Sequence, residues 1–442
     1  MNAAKTCGRL LLLTLWLAMA GCASDDAANS ALDELVASMD PDQRMADPQP
    51  AGSIDITMRE VAGADADALT QIANVEAFWI DTGSEIGLTY EPLDSARLFP
   101  RSTLADIGPV SCTASDQSLE LTAELTSFNA VVANCPQEGI TVLWDDIDLK
   151  AFLDRNFPEA GFAQLIAHEW GHVVQNQLEP VERSTLLEEQ QADCYAGAYM
   201  RWAESTGTEP FTNPRARDLA VLSILESRDQ VGASPTGPNA HGNGFDRIRA
   251  AQEGYDEGVA FCAGYDEAAP PVTQMAFTTE DEAAMGGNLP FDRTVALLDP
   301  AIAAHFQSLT DEPIDPFVQL PGEAVLGQQH AAIGDGAVAA LLGLSYAGAV
   351  QLAADMGTAG VPAALQRACL LGTFLNRALA GDLPVDAADG TSLRLSPGDL
   401  DEIITSLTNS PAVLANPGLV FEMVSAVRIG TIDGPDGCGM TA

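Results

Sequence analysis

Two histidines one helical turn apart, with a glutamate beside the first, constrain this chain more than any other stretch: His168-Glu169-Trp170-Gly171-His172 reads H-E-x-x-H. It lies in the largely apolar run from Phe162 to Gln175. Asn156-Phe157-Pro158-Glu159 upstream puts a proline and an acid where a helix would begin. Residues four apart on a helix share a face, so both imidazoles can grip one ion while Glu169 points at a water on it. The whole chain has five histidines, so composition alone rarely places two at this spacing around a glutamate. A catalytic zinc takes three protein ligands and keeps one position open. Seventeen residues after His172, Glu189 and Asp193 stand at i and i+4 in a helical run from about Val181 to Trp202. Glu189 suits the third ligand. Asp193 suits the acceptor for the far N–H of a ligand histidine, which fixes that ring's tautomer.

The stretches HEWGHVVQNQ, EEQQADCYAGAY and HGNGFDRIRAAQEGYDEG together resemble the neutral zinc metallopeptidases of bacterial envelopes, a branch of the gluzincin-type proteases. The resemblance runs from about Val75 to Cys262. It implies a zincin-like lobe with one zinc per chain held by His168, His172 and Glu189, Glu169 as general base, Asp193 behind the ligands, and a protein or peptide as substrate. Asn129-Ala130 opens a β-rich run, Asn129 to Cys135, followed by Pro-Gln-Glu-Gly139 and a second run, Ile140 to Asp145, which reads as a hairpin. In gluzincins an Asn-Ala edge strand pairs with substrate backbone, so the resemblance gives Asn129 and Ala130 that role; the plain alternative is a structural hairpin.

Other features place the chain. Lys5 and Arg9 precede an apolar run from Leu10 to Ala20, too short to span a bilayer as a mature helix, which ends in Ala-Gly-Cys22. This is the pattern of a lipoprotein signal (residues 1–21) with Cys22 acylated, followed by a polar tether over 22–52. The alternative is an ordinary secretory signal cut nearby. A net charge of −43 with two lysines, Lys5 and Lys150, argues against nucleic acid and anionic lipid surfaces as partners. Beyond Cys7 and Cys22 six cysteines remain, and an even set in an exported chain points to disulfides, with fifteen pairings open. Within the peptidase region, His241 before the last helix can reach the cleft and donate to an oxyanion, cap that helix, or sit in solvent. Tyr195 and Tyr199 are rival donors.

The last third reads as a weak internal repeat of the first part. Asn74 to Leu93 lines up with Ala301 to Leu320 without a gap, Leu165 to Val174 with Leu342 to Gln351, and Cys194-Tyr-Ala-Gly-Ala-Tyr with Cys369-Leu-Leu-Gly-Thr-Phe. The intervals Cys194 to Cys262 and Cys369 to Cys438 are 68 and 69 residues. The repeat therefore predicts those two disulfides and leaves Cys112 with Cys135. It puts Ser345 at the place of His168, Tyr346 at Glu169, Ala349 at His172 and Ala364 at Glu189, so the copy should hold no metal.

The expectation is an α+β, mostly helical chain: a zinc metallopeptidase domain over 53–264 with a small β-hairpin, then a degenerate copy over 265–442 kept for packing or for an envelope protein partner. Its work would be zinc-dependent peptide hydrolysis at the cell envelope, on an exported protein whose only membrane attachment is its lipid anchor. The alternative is a silent or self-inhibited binding protein that keeps the zinc site. If Cys22 carries the anchor, the mature protein should fractionate with membranes and Cys22→Ser should release it or block processing. Wild type found wholly in the soluble fraction would contradict this.

Overall fold

The computed structural model describes residues 60–114, 117–178, 183–267, 272–314, 320–383 and 394–439. The expected signal and tether, with Cys22, lie outside the described residues. Among these residues helix dominates, with five short strands, which bears out the mostly helical α+β expectation.

Helix α1 (Ala66–Thr82) starts where Asp65 accepts the Ala68 N–H at 2.8 Å. Of the apolar stripe that the sequence predicts for a helix from Asp65 to about Thr82 (Leu69, Ile72, Val75, Ala77, Phe78 and Trp79), it buries Ile72, Val75, Phe78 and Trp79. Strand β1 (Leu98–Pro100) and helix α2 (Arg101–Ile107) follow, then β2 (Val110–Ala114) and β3 (Gln117–Leu121), an antiparallel pair. From the sequence alone, the section from Tyr90 to Cys112 reads as loop-rich. Burial comes from elsewhere: Leu104, Cys112, Leu121, Cys135 and Leu143 form a small separate core, with the Cys112–Cys135 bond inside it. The predicted hairpin is β4 (Ala130–Cys135) and β5 (Gly139–Trp144). In the three-stranded sheet the order is β1-β5-β4, which leaves β4 at an edge.

Helices α3 (Leu149–Asn156), α4 (Ala160–Gln177), α5 (Thr185–Thr206), α6 (Pro214–Glu226), α7 (Gly244–Glu257) and α8 (Val259–Ala263) complete the first part. Ser184 caps α5, and Gly207 in the left-handed region ends it. Where α4 crosses α5, a Cβ on Gly171 would lie 2.7 Å from Ala192 Cα. Only glycine lets the two backbones approach this closely. On the other side of α5, α7 packs against it through a reciprocal pair. A Cβ on Gly197 would overlap the Ala251 carbonyl, and one on Gly254 would overlap that of Cys194.

The second part holds α9 (Glu280–Ala284), α10 (Phe291–Gln307), α11 (Glu323–Ala332), α12 (Asp335–Ala353), α13 (Gly360–Ala380), α14 (Asp399–Thr408), α15 (Pro411–Leu414) and α16 (Leu419–Gly437). Helix α12 is long and apolar enough to cross a membrane, but here its neighbours cover it. The close pair recurs between α13 and α16: Gly372 meets the Val427 carbonyl and Gly430 that of Cys369. All three disulfides are the pairs that the repeat predicts, Cys112–Cys135, Cys194–Cys262 and Cys369–Cys438. Side-chain contacts recur too. Phe78 meets Tyr199 at 5.7 Å between rings, and His305 meets Phe374 at 5.8 Å. Gln175 Nε2 donates to Glu188 O and Gln191 Oε1; Gln351 Nε2 donates to Ala363 O and Gln366 Oε1.

That glutamine pair corrects the aligned register of α12 by one residue. With Gln351 opposite Gln175, the residues standing at His168, Glu169 and His172 are Leu344, Ser345 and Gly348, in place of Ser345, Tyr346 and Ala349. A helix made of Leu, Gly and Ala matches almost equally well in adjacent registers; the buried amide contacts distinguish them. Neither register supplies a metal ligand.

The two parts also cap each other. The Asp401 carboxylate on α14 accepts the Gly244 and Phe245 N–H groups that open α7. The Asp218 carboxylate on α6 accepts those of Gly418 and Phe421 at the start of α16. One continuous apolar core runs through both parts.

Gly254→Val and Gly430→Val should therefore each destabilise the fold by about 3 kcal/mol, since backbone oxygen cannot yield as a side chain would. Gly322→Ala should cost less than about 1 kcal/mol, because nothing lies within 4 Å of the added carbon and only a helix N-cap preference is lost. Denaturant unfolding of the three variants checks the contrast.

Candidate metal centre

Helices α4 and α5 bring His168, His172 and Glu189 together: one ligand atom of each lies within 4.8 Å of those of the other two. His168 Nε2 is 3.2 Å from Glu189 Oε2, and His172 Nε2 is 3.5 Å from Glu189 Oε1. Glu189 Oε2 is buried and, among the described residues, accepts no well-aligned hydrogen bond. Three ligand atoms this close, brought from two helices, converge as ligands around an ion do. The donor set, two imidazoles and a carboxylate, suits zinc.

The far side of each ring is fixed. His168 Nδ1 lies 2.8 Å from Asp193 Oδ1, and His172 Nδ1 lies 2.8 Å from Gln175 Oε1. The Gln175 amide nitrogen is already engaged with Glu188 O and Gln191 Oε1, so its oxygen must face the ring. Both acceptors put the proton on Nδ1 and leave the Nε2 lone pairs for a metal. Asp193 is itself clasped by Arg247 from α7: Nε to Oδ2 at 2.8 Å and Nη2 to Oδ1 at 2.9 Å. Arg247 Nη1 also donates to Ser227 O. Sequence reasoning assigns no role to Arg247 or Gln175. Arg247 lies inside the third motif, but 54 residues from Asp193, and nothing local ties the two.

Electrostatics match this layout. Burial works against the charged imidazole of His168, yet Asp193 and Glu189 outweigh it and raise its pKa to about 10. Burial would raise the Asp193 carboxyl, but Arg247 and His168 hold it below the usual range. Glu189, also against its burial, is held well below by His172 and His168. Glu169 goes the other way: burial lifts it above the ordinary glutamate value, offset only in part by the histidines. A carboxyl raised in this way is a better proton acceptor.

The cluster opens on a cleft of 650 Å³, lined also by Asn129, Ala130, Gln164 and His241. Asn129 and Ala130 thus stand at the rim, where β4 has its unpaired edge. Asp145 holds the lead-in, accepting Phe128 N at 2.6 Å, while its own N–H donates to Asn129 O. His241 lines the cleft with its side chain 45% exposed; its Nδ1 is 3.6 Å from Asp229 Oδ1. Its pKa is raised, first by that Asp229 carboxylate. Tyr195 and Tyr199 pack edge-on against Trp79 and Phe78 and do not line the cleft, so they serve the core.

Compared with known proteins, the chain matches no family model, no curated protein and no solved structure.

With its pKa raised to about 10, His168 is protonated at neutral pH in the metal-free protein, and a metal must displace that proton. Calorimetric titration of zinc into metal-free protein at pH 7, in buffers of different ionisation enthalpy, should show about one proton released or more. Affinity should fall as pH is lowered. A binding enthalpy that is the same in every buffer would contradict this.

Proposed function

We propose that the chain is a zinc-dependent peptide hydrolase with a zincin-like catalytic lobe, and more particularly a membrane-anchored metallopeptidase of the cell envelope. The observation that carries it is the convergence of His168 Nε2, His172 Nε2 and Glu189 on one point, with Glu169 beside them in an open cleft. Those three residues would hold the ion. A zinc ion there supplies Lewis acidity and a source of hydroxide near neutral pH.

The chain's own groups do the rest. The buried Glu169 carboxylate takes a proton from the attacking water as oxygen bonds to the scissile carbonyl carbon, and returns it to the leaving amine as the C–N bond breaks. Asp193 and Gln175 keep both rings in the ligand tautomer throughout. The free edge of β4 at Ala130 offers backbone N–H and C=O groups to an extended peptide, a mode that reads backbone more than side chain. His241 is placed to donate to the oxyanion from the cleft wall.

The second part fits a degenerate copy of the same lobe. It keeps the glycine pair, the glutamine pair and the disulfide, and has Leu344, Gly348 and Ala364 where the ligands stand. It also lacks a counterpart of the β-hairpin among the described residues, so substrate would be read by the first part alone. The copy's surface is left for packing or for an envelope partner.

His168→Ala, His172→Ala and Glu189→Ala should each cut zinc content from one per chain to near zero. Glu169→Gln should keep the zinc and lose about 10²–10⁴-fold in peptide cleavage. Elemental analysis paired with cleavage of a peptide library reads both. Glu169→Gln cleaving as well as wild type would overturn the mechanism and leave a zinc-holding binding protein.

A further inference from the structure

A second acidic cluster lies in the other part of the molecule, remote in sequence from the proposed zinc ligands. Asp335 opens the buried helix α12, and Asp399 and Glu402 occupy the first turn of α14. One carboxylate oxygen of each lies within 4.8 Å of those of the other two. Asp335 and Asp399 also line a mostly apolar cavity of 790 Å³ between α10, α12 and α14.

Three carboxylates this close repel one another, and every donor that meets them among the described residues is neutral. Leu289 N donates to Asp335 Oδ2 at 3.0 Å. Ser396 gives its N–H and its hydroxyl to Asp399. Asn288 Nδ2 and Gly336 N donate to the two oxygens of Glu402. These contacts orient the carboxylates without neutralising them. Asp401, next to Glu402, has Arg228 at 3.1 Å, so the chain pairs a buried acid with a base where that is what the acid requires.

One atom remains unexplained by such capping. Asp335 Oδ1 is buried, on a residue 8% exposed, and has no hydrogen-bond partner among the described residues. An unpaired buried carboxylate oxygen is costly, and such groups are normally paired or coordinated. Its cluster partners are two further carboxylates on a different helix.

We propose that Asp335, Asp399 and Glu402 form a second cation site that takes a hard divalent ion, calcium. All three ligands are carboxylate oxygens, which excludes the soft or imidazole-rich chemistry that selects zinc. Calcium bonds oxygen at about 2.3–2.6 Å and so accepts oxygens up to about 5 Å apart across the ion. Magnesium demands a tighter octahedron. Bound there, the ion ties the 286–290 loop, through Asn288 and Leu289, to the starts of α12 and α14. It would thus act as a structural clasp on the second part, independent of the proposed catalytic zinc.

The test uses the full chain, stripped with a calcium chelator and then given calcium or magnesium chloride. Calcium should produce binding heat and raise the melting temperature, with magnesium weaker. Asp335→Asn keeps an oxygen for Leu289 N and should weaken calcium binding at least tenfold, as should Glu402→Gln. Without calcium, Asp335→Asn should melt at or above wild type, because repulsion is relieved and its oxygen still meets Leu289 N. The wild type alone also decides the matter if a variant fails to fold. No heat and no melting shift at about 10 mM calcium, beyond the weakest common sites, would overturn the proposal. So would a cluster whose stability responds to acid but not to calcium, since it then holds protons in place of a cation.

Discussion

The bidentate clasp of Arg247 on Asp193 is the interaction on which the rest of the site depends. Asp193 is fully buried, and its two oxygens serve Arg247 and the His168 ring together. A buried pair of this kind is weak as a net source of stability, because both charges lose water, but breaking it by removing one partner costs about 3–5 kcal/mol. Its worth here is directional. Arg247 comes from α7, Asp193 from α5 and His168 from α4, so one chain of contacts locks three helices and one imidazole tautomer. Arg247 also reaches Ser227 at the end of α6, which ties a fourth helix to the same point.

This arrangement needs helices that approach more closely than ordinary side chains allow. Gly171 lets α4 touch α5 at Ala192, on the turn that carries both histidines, and Gly197 with Gly254 lets α7 touch α5 on its other flank. The glycine inside H-E-x-x-H is thus a packing residue that sets the separation of His168 and His172 from Glu189. The same close pair and the same glutamine contacts occur in the second part around Gly372, Gly430 and Gln351, without ligands. There Gln351 Oε1 accepts Arg367 Nε, whereas its counterpart on Gln175 faces the ring of His172. The framework and the chemistry are separable: the helix pairing persists where the ligand positions hold Leu, Gly and Ala.

The two parts are joined through helix ends. Asp401 and Asp218 each meet unsatisfied N–H groups at the start of a helix belonging to the other part, in reciprocal fashion. The helix that Asp401 caps is α7, the one that carries Arg247. The second part therefore helps set the position of the arginine behind the proposed zinc ligands, which gives a lobe without zinc ligands a physical role.

Some of this was legible in the sequence for a simple reason: it is local, or it repeats. The i,i+4 spacing of His168 with His172 and of Glu189 with Asp193 fixes common faces as soon as the segments are helical, and their juxtaposition follows from the ligand count of a metal. The disulfide pairs followed from two nearly equal intervals, and β4–β5 from two β-rich runs around a turn. The sequence did not reveal Arg247, Gln175 or Asp145 as supports, because each acts on a partner brought near only by packing. It did not reveal β2–β3, whose strands have little apolar pattern and rely on a disulfide and a small borrowed core. It also left the register of α12 one residue out, because runs of Leu, Gly and Ala look alike when shifted. Local spacing determined which residues can act together; helix packing at glycine contacts decided where they meet and what holds them there.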